Sequence, residues 1–189
     1  MFLRIVLFES SLLLVAWVLA WLLGVPFLDT QSWDWKGLAI GLTSTLPLIS
    51  MFFWLLQSPW EPCQNIRRIM DRVIRPMFRQ FSVLQLLLIS IVAGISEEIL
   101  FRGVIQEGAQ ASMGNQAAIL LSAVLFGACH ALTKFYFLLA TLMGIYMSLV
   151  WMATDQLLAP IMTHAVYDFL VLLWYLKWEK TNHSSENPH

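Results

Sequence analysis

Charge is missing from this chain in long blocks, and that constrains its fold more than anything else. No Asp, Glu, Lys or Arg occurs at residues 11–28, 37–57 or 135–154. Each block is close to the about 20 apolar residues that carry a helix across a bilayer core. Three more apolar runs follow the same plan: one from 81 towards 108 containing Glu97, Glu98 and Arg102, one over 116–133, and one over 157–176. The first helix is expected to begin before its uncharged block, near Phe2. Arg4 and Glu9 in its early turns weigh against a cleavable signal, so this run is taken as a retained anchor. The expected fold is all-α, a polytopic transmembrane helical bundle of about six spans plus a cytoplasmic amphipathic helix.

Composition excludes the main competitors. Charged residues are 12% of the 189 and hydrophobic ones 59%, whereas soluble domains are about 25% charged. So little charge cannot cover a water-facing surface, which excludes a soluble globular domain and a disordered chain. The net charge of −1 and the lack of nucleic-acid motifs leave no nucleic acid as partner; the partner that composition implies is the lipid bilayer. Cys63 and Cys129 cannot make a disulfide scaffold, and Cys129, inside an apolar run, reads as a small buried hydrophobe.

Five of the eleven basic residues, Arg67, Arg68, Arg72, Arg75 and Arg79, fall at 58–80. Positive-inside bias puts that segment in the cytoplasm. Ile66, Ile69, Met70, Val73, Ile74 and Met77 recur between the arginines at helical spacing, as in an amphipathic helix lying on an anionic leaflet. Six spans then leave both termini cytoplasmic, with Asp29, Asp34 and Asp155 outside. The chain divides into 1–80, with two spans and the basic segment; 81–176, the core; and 177–189, a polar tail. His183 and His189 in that tail read as composition rather than ligands.

Ionisable residues inside spans are expensive and are functional candidates by default. Three clusters qualify. In the run 96–103, Ser-Glu-Glu-Ile-Leu-Phe-Arg-Gly, Glu98 and Arg102 are four apart and can pair on one helix face. Glu97 points about 100° away, a carboxylate free for proton transfer. The second cluster ends the run Phe126-Gly-Ala-Cys-His130, and the third is His164-Ala-Val-Tyr-Asp168. Convergence of all three on one polar cavity is the economical way to satisfy them. Such a set can activate water and stabilise an oxyanion, hold a divalent metal, or line a proton-coupled path. Composition and spacing leave these open.

Glu97-Glu98-x-x-x-Arg102, Phe126-x-x-x-His130 and His164-x-x-x-Asp168, in this order and each in a hydrophobic helix, resemble the three motifs of one intramembrane protease family. It joins type II CAAX prenyl endopeptidases to bacteriocin-processing and immunity (Abi) proteins, also termed CPBP. The resemblance covers 81–176, about half the chain. It implies an intramembrane endopeptidase in a cytoplasmic (inner) membrane of bacterial type. Glu97 and His130 would activate water, His164 and Asp168 would form the oxyanion site, and Glu98, Arg102 and Phe126 would support them. No cofactor is required in the preferred reading; a divalent metal such as zinc, held by Glu97, His130 and His164, is the alternative. Prenyl-processing members carry Asn where this chain has Asp168, and an ionised Asp cannot donate a hydrogen bond. The rival functions are a non-catalytic immunity-like scaffold of the same fold and a proton-coupled transporter. Simple depth arithmetic strains the picture: a span starting at Phe81 puts Glu97 about 24 Å from the cytoplasmic face and His130 about 10 Å from it. A long third helix, running to about Gln110, and helix tilt are needed to bring them together.

Overall fold

The computed structural model describes residues 1–26 and 34–178. Asp29, Lys180, His183 and His189 lie outside the described residues, as does nearly all of the polar tail. The elements are α1 (Phe2–Leu23), α2 (Trp35–Gln57), α3 (Glu61–Ile69), α4 (Arg75–Phe78), α5 (Val83–Glu98), α6 (Glu107–Cys129), α7 (Lys134–Thr154) and α8 (Leu158–Leu173). Three π-helical stretches interrupt or extend them: Met70–Ile74, Ile99–Gln106 and Trp174–Trp178. No strand occurs among the described residues. The protein is a helical membrane bundle.

Five helical runs are long and apolar enough to cross a membrane. The third, Val83–Cys129, has 47 residues and would be about 70 Å long if straight, more than twice the about 30 Å hydrocarbon core. It is not straight. Gly114 has φ 77° and ψ 164°, a conformation open to glycine alone at little cost, and the chain turns back there. Ser122 Oγ donates to the Phe101 carbonyl at 2.8 Å, and the rings of Phe101 and Phe126 are 5.2 Å apart. Segments on either side of Gly114 therefore face each other in antiparallel arms. The third and fourth runs of the sequence are these two arms.

Local chemistry sets the helix ends. Asp34 caps α2 by accepting from the Lys36 and Gly37 amides at 2.9 and 3.0 Å. These bonds, Gly37 first, hold its carboxyl below the ordinary value. Ser82 and Gln85 form a capping box at the start of α5. Thr133 caps α7 through the Tyr136 amide, which fixes the break between the fourth and fifth runs. Gly24, at φ 67°, ends α1 with its amide bonded to the Ala20 carbonyl, short of residue 28.

Small residues let the helices approach closely, as membrane packing favours. A Cβ on Gly144 of α7 would stand 2.9 Å from the Ala123 Cα of α6, and one on Gly94 of α5 would stand 3.0 Å from the Ala165 Cβ of α8. Hydrogen bonds add to the packing: Thr163 Oγ1 donates to Gly41 O at 3.0 Å and the Tyr146 hydroxyl to Ser44 O at 2.8 Å. Leu3, Leu7, Phe8, Leu14, Trp17 and Trp21 line the outward face of α1.

Two expectations are corrected. Cys129 is exposed, because Gly127 is the α6 residue turned onto α7 and position 129 lies about 200° further round the helix. The basic segment is not one regular helix. It is α3, a π-helical stretch and α4, and most of its apolar face packs on the protein while Val73 stays exposed. Ile66 is buried with Leu55 and Cys63, while Met70, Ile74 and Met77 pack around Phe78, Phe81 and Tyr175. Arg67 Nη1 donates to the Leu55, Leu56 and Ser58 carbonyls, closing the C-terminus of α2.

Gly144→Val therefore overpacks the α6–α7 contact and is expected to destabilise by about 1–3 kcal/mol. Leu142→Val, on the exposed face of the same helix, is expected to stay within about 0.5 kcal/mol. Thermal unfolding of the purified variants in detergent checks both.

Candidate active site

The site is built from the middle of the bundle outward. Glu98 ends α5 and Arg102 lies in the following π-helical stretch. Both side chains are fully buried, and Arg102 Nη1 donates to Glu98 Oε1 at 3.0 Å. The guanidinium also donates through Nη2 to the Gly144 carbonyl at 2.9 Å and lies 4.8 Å above the Phe126 ring. A buried ion pair needs such added partners to offset its desolvation. π-Helical turns are frequent at functional sites, and this one carries half of the first motif.

His164, on α8, extends the pair. Its Nδ1 is 2.8 Å from Glu98 Oε1, the same oxygen that receives Arg102, and its Nε2 is 3.5 Å from Asp168 Oδ2. The expected His164–Asp168 proximity on one face is present. The two differ in access: the His164 side chain is 6% exposed and that of Asp168 34%.

His130 forms the C-cap of α6, with φ −106° and ψ 11°. The helix stops there, and the ring folds back with Nδ1 2.8 Å from the Phe126 carbonyl. A carbonyl only accepts, so Nδ1 carries the proton and the neutral ring presents the Nε2 lone pair. That Nε2 is 3.7 Å from Glu97 Oε2, which is buried and has no hydrogen-bond partner among the described residues. Glu97 is thus the carboxylate left over when Glu98 takes the cation. The expected 14 Å difference in depth vanishes because α6 ends at His130, whereas α5 starts well beyond it, beside the layer of Phe78, Phe81 and Tyr175.

Phe126 organises the rest. Its ring stacks on His130 at 4.5 Å, meets His164 edge-on at 5.9 Å and carries Arg102 on its face. The structure therefore brings together Glu97, Glu98, Arg102, Phe126, His130, His164 and Asp168. The Gly144 carbonyl was not legible as part of the cluster, since nothing in the sequence distinguishes one backbone oxygen. Glu9 was legible only as a lone carboxylate in an apolar helix.

Among the described residues no three His, Cys, Asp or Glu side chains stand together as a ready metal site. The ring nitrogens of His164 face Glu98 and Asp168 at 2.8 and 3.5 Å.

A comparison with protein families matches residues 79–170 to the type II CAAX prenyl endopeptidase Rce1-like family. All three motifs lie inside that segment. Over that segment, just under half of the 189 residues, the chain is similar to this family. No curated protein and no solved structure matches it. The Rce1-like match begins just before α5 and ends within α8, so α1 and α2 lie outside it.

The geometry makes Arg102 the residue whose loss should be felt most. Arg102→Met leaves Glu98 buried without its cation and is expected to destabilise by about 3–5 kcal/mol. The double variant Glu98→Gln/Arg102→Met is expected to recover part of that loss. Unfolding in detergent across the four-member cycle gives the coupling.

Proposed function

We propose that this protein hydrolyses a peptide bond in a membrane-associated protein or peptide, with water activated between Glu97 and His130. The carrying observation is the 3.7 Å separation of Glu97 Oε2 and His130 Nε2. It is longer than a direct hydrogen bond, and one water lying beside the pair can reach both atoms. Glu97 takes a proton from that water as its oxygen attacks the scissile carbonyl carbon. The resulting oxyanion lies against His164 Nε2–H, the only donor that the third motif offers if Asp168 is ionised. Asp168 then orients the His164 ring instead of binding the oxyanion. The tetrahedral intermediate collapses with cleavage of the C–N bond, and Glu97 returns the proton to the leaving amine. Glu98 and Arg102 keep the His164 ring and the Phe126 platform in place. These steps use no metal or other cofactor.

Magnitudes order the residues. Acid–base catalysis contributes about 10²–10⁴-fold and one oxyanion donor about 10²–10³-fold. Glu97→Gln and His130→Ala are expected to lower kcat by at least about 100-fold, and His164→Ala by a similar factor. Asp168→Asn is expected to keep substantial activity, because an amide still holds the ring. The assay uses the purified chain in detergent with membrane-tethered peptides, prenylated and unprenylated. A wild type that cleaves neither, or Glu97→Gln at wild-type rate, sinks the reading in favour of a scaffold.

We also propose that the end bearing α3 and α4 faces the cytoplasm of a bacterial-type inner membrane, since positive-inside bias follows its arginines. In a Cys129→Ser background, a membrane-impermeant maleimide is expected to label Asp155→Cys in intact cells and Arg72→Cys only after lysis. The opposite pattern inverts the orientation.

A further inference from the structure

The end of the bundle opposite α3 and α4 carries a second polar site, away from the three motifs. A cavity of about 230 Å³ lies there, lined by Glu107, Gln110, Asn115, Trp151, Met152 and Asp155. Two turns build it. The glycine turn at position 114 delivers Asn115. Asp155, at φ 54°, ends α7 with its amide bonded to the Trp151 carbonyl at 2.7 Å. Glu107 and Gln110 come from the first turn of α6.

The lining asks for two kinds of partner at once. Glu107 and Asp155 bring two carboxyls, and no Lys, Arg or His is among the lining residues. Asp155 also stands at the C-terminus of α7, where the helix dipole disfavours an anion, and the last turn of α7 holds no basic residue. A cation suits these groups. Trp151 asks for the reverse. It is the one buried member of the lining, 4% exposed, and its Nε1–H has no hydrogen-bond partner among the described residues. An indole N–H only donates, and a buried donor without an acceptor is costly. A bare metal ion offers no acceptor and fills little of such a cavity. A zwitterion with an ammonium and an oxygen acceptor a few bonds apart supplies both.

The position says where such a group comes from. Met152 is exposed in line with Leu142 and Leu149, on the outward stripe of α7 that meets lipid tails. The cavity lies where that stripe ends, at the level where tails give way to headgroups. We propose that it binds the headgroup of a phosphatidylethanolamine-type lipid, with the ammonium between Glu107 and Asp155 and the phosphate accepting from Trp151 Nε1–H. The carboxamides of Gln110 and Asn115 both donate and accept, so they serve either end of the headgroup. The site is independent of the protease reading.

Native mass spectrometry tests this on the full chain, purified in detergent, stripped of lipid and titrated with dioleoyl phosphatidylethanolamine, phosphatidylcholine or phosphatidylglycerol. Choline has no N–H for the carboxyls and glycerol has no cation. Phosphatidylethanolamine is therefore expected to bind at least about ten-fold more tightly than either. Glu107→Gln/Asp155→Asn removes both charges with little change of shape, and Asn tolerates the left-handed turn at position 155. It is expected to abolish the preference. Trp151→Phe keeps a ring and loses the N–H, and is expected to weaken binding about three- to ten-fold. Glu61→Gln, an exposed carboxyl at the basic end, is expected to change nothing. Equal affinity for the three lipids, or a preference that survives the double variant, overturns the proposal. Free phosphoethanolamine and Mg²⁺, each at millimolar concentration, are expected to leave the lipid bound. Displacement by the first makes the ligand a soluble one, displacement by the second makes the site a cation site, and either overturns the lipid assignment. Equal melting temperatures of wild type and variants exclude a folding defect; if Trp151→Phe fails to fold, the double variant still decides.

Discussion

The buried pair of Glu98 and Arg102 is the interaction on which the remaining site geometry depends. Two unit charges at 3.0 Å with no solvent exposure do not stabilise a bundle by themselves, because desolvation consumes the Coulombic gain. They are tolerated through what surrounds them. The guanidinium reaches the Gly144 carbonyl of α7 and the Phe126 ring of α6, and the Glu98 oxygen also meets His164 of α8. One ion pair therefore ties together α5 with its π-helical extension, α6, α7 and α8. Polar contacts in a membrane substitute for the hydrophobic effect that no longer distinguishes protein from lipid. Loss of the cation disturbs the Phe126 ring and the histidine rings against it together.

The pair also decides what its neighbour can do. With Glu98 held by Arg102 and His164, Glu97 is turned by one residue of helix rotation towards His130. The tautomer of His130 follows from its own bond to the Phe126 carbonyl. Carboxylate, acceptor nitrogen and aromatic platform are thus set by backbone and packing, the preorganisation that the proposed hydrolysis needs. Access lies on the other side. The His130 and Asp168 side chains are 30% and 34% exposed, so the cluster opens along the edge they share.

Much of this was legible in the residues. Uncharged runs marked the helices, and i, i+4 spacing placed Glu98 with Arg102 and His164 with Asp168 on common faces. What failed was any inference that assumed straight, regular helices starting at the membrane surface. The depth arithmetic put Glu97 and His130 far apart because apolar composition does not show where α6 ends or how far α5 projects beyond it. The amphipathic segment was legible as a pattern, but the pattern cannot say whether its apolar face meets lipid or protein. Arg67 shows why: its guanidinium closes the end of α2, a tertiary role that a positive charge count assigns to the leaflet.

Asp168 marks where this chain departs from the prenyl-processing pattern, and its geometry gives the departure a consistent meaning. An Asn at that position offers an N–H to a developing oxyanion; an ionised Asp offers only acceptors. The His164 ring stands between Glu98 and Asp168, with a carboxylate oxygen facing each nitrogen. Two acceptors favour an N–H on both sides of the ring. In the proposed mechanism the donor lost at position 168 is supplied at position 164, and the electrophilic role falls on one histidine. Asp168 also adds an acidic group to a centre that holds Glu97 and Glu98 against Arg102, and a His164 ring with an N–H on each nitrogen supplies the second cation, so the third motif brings its own counter-charge.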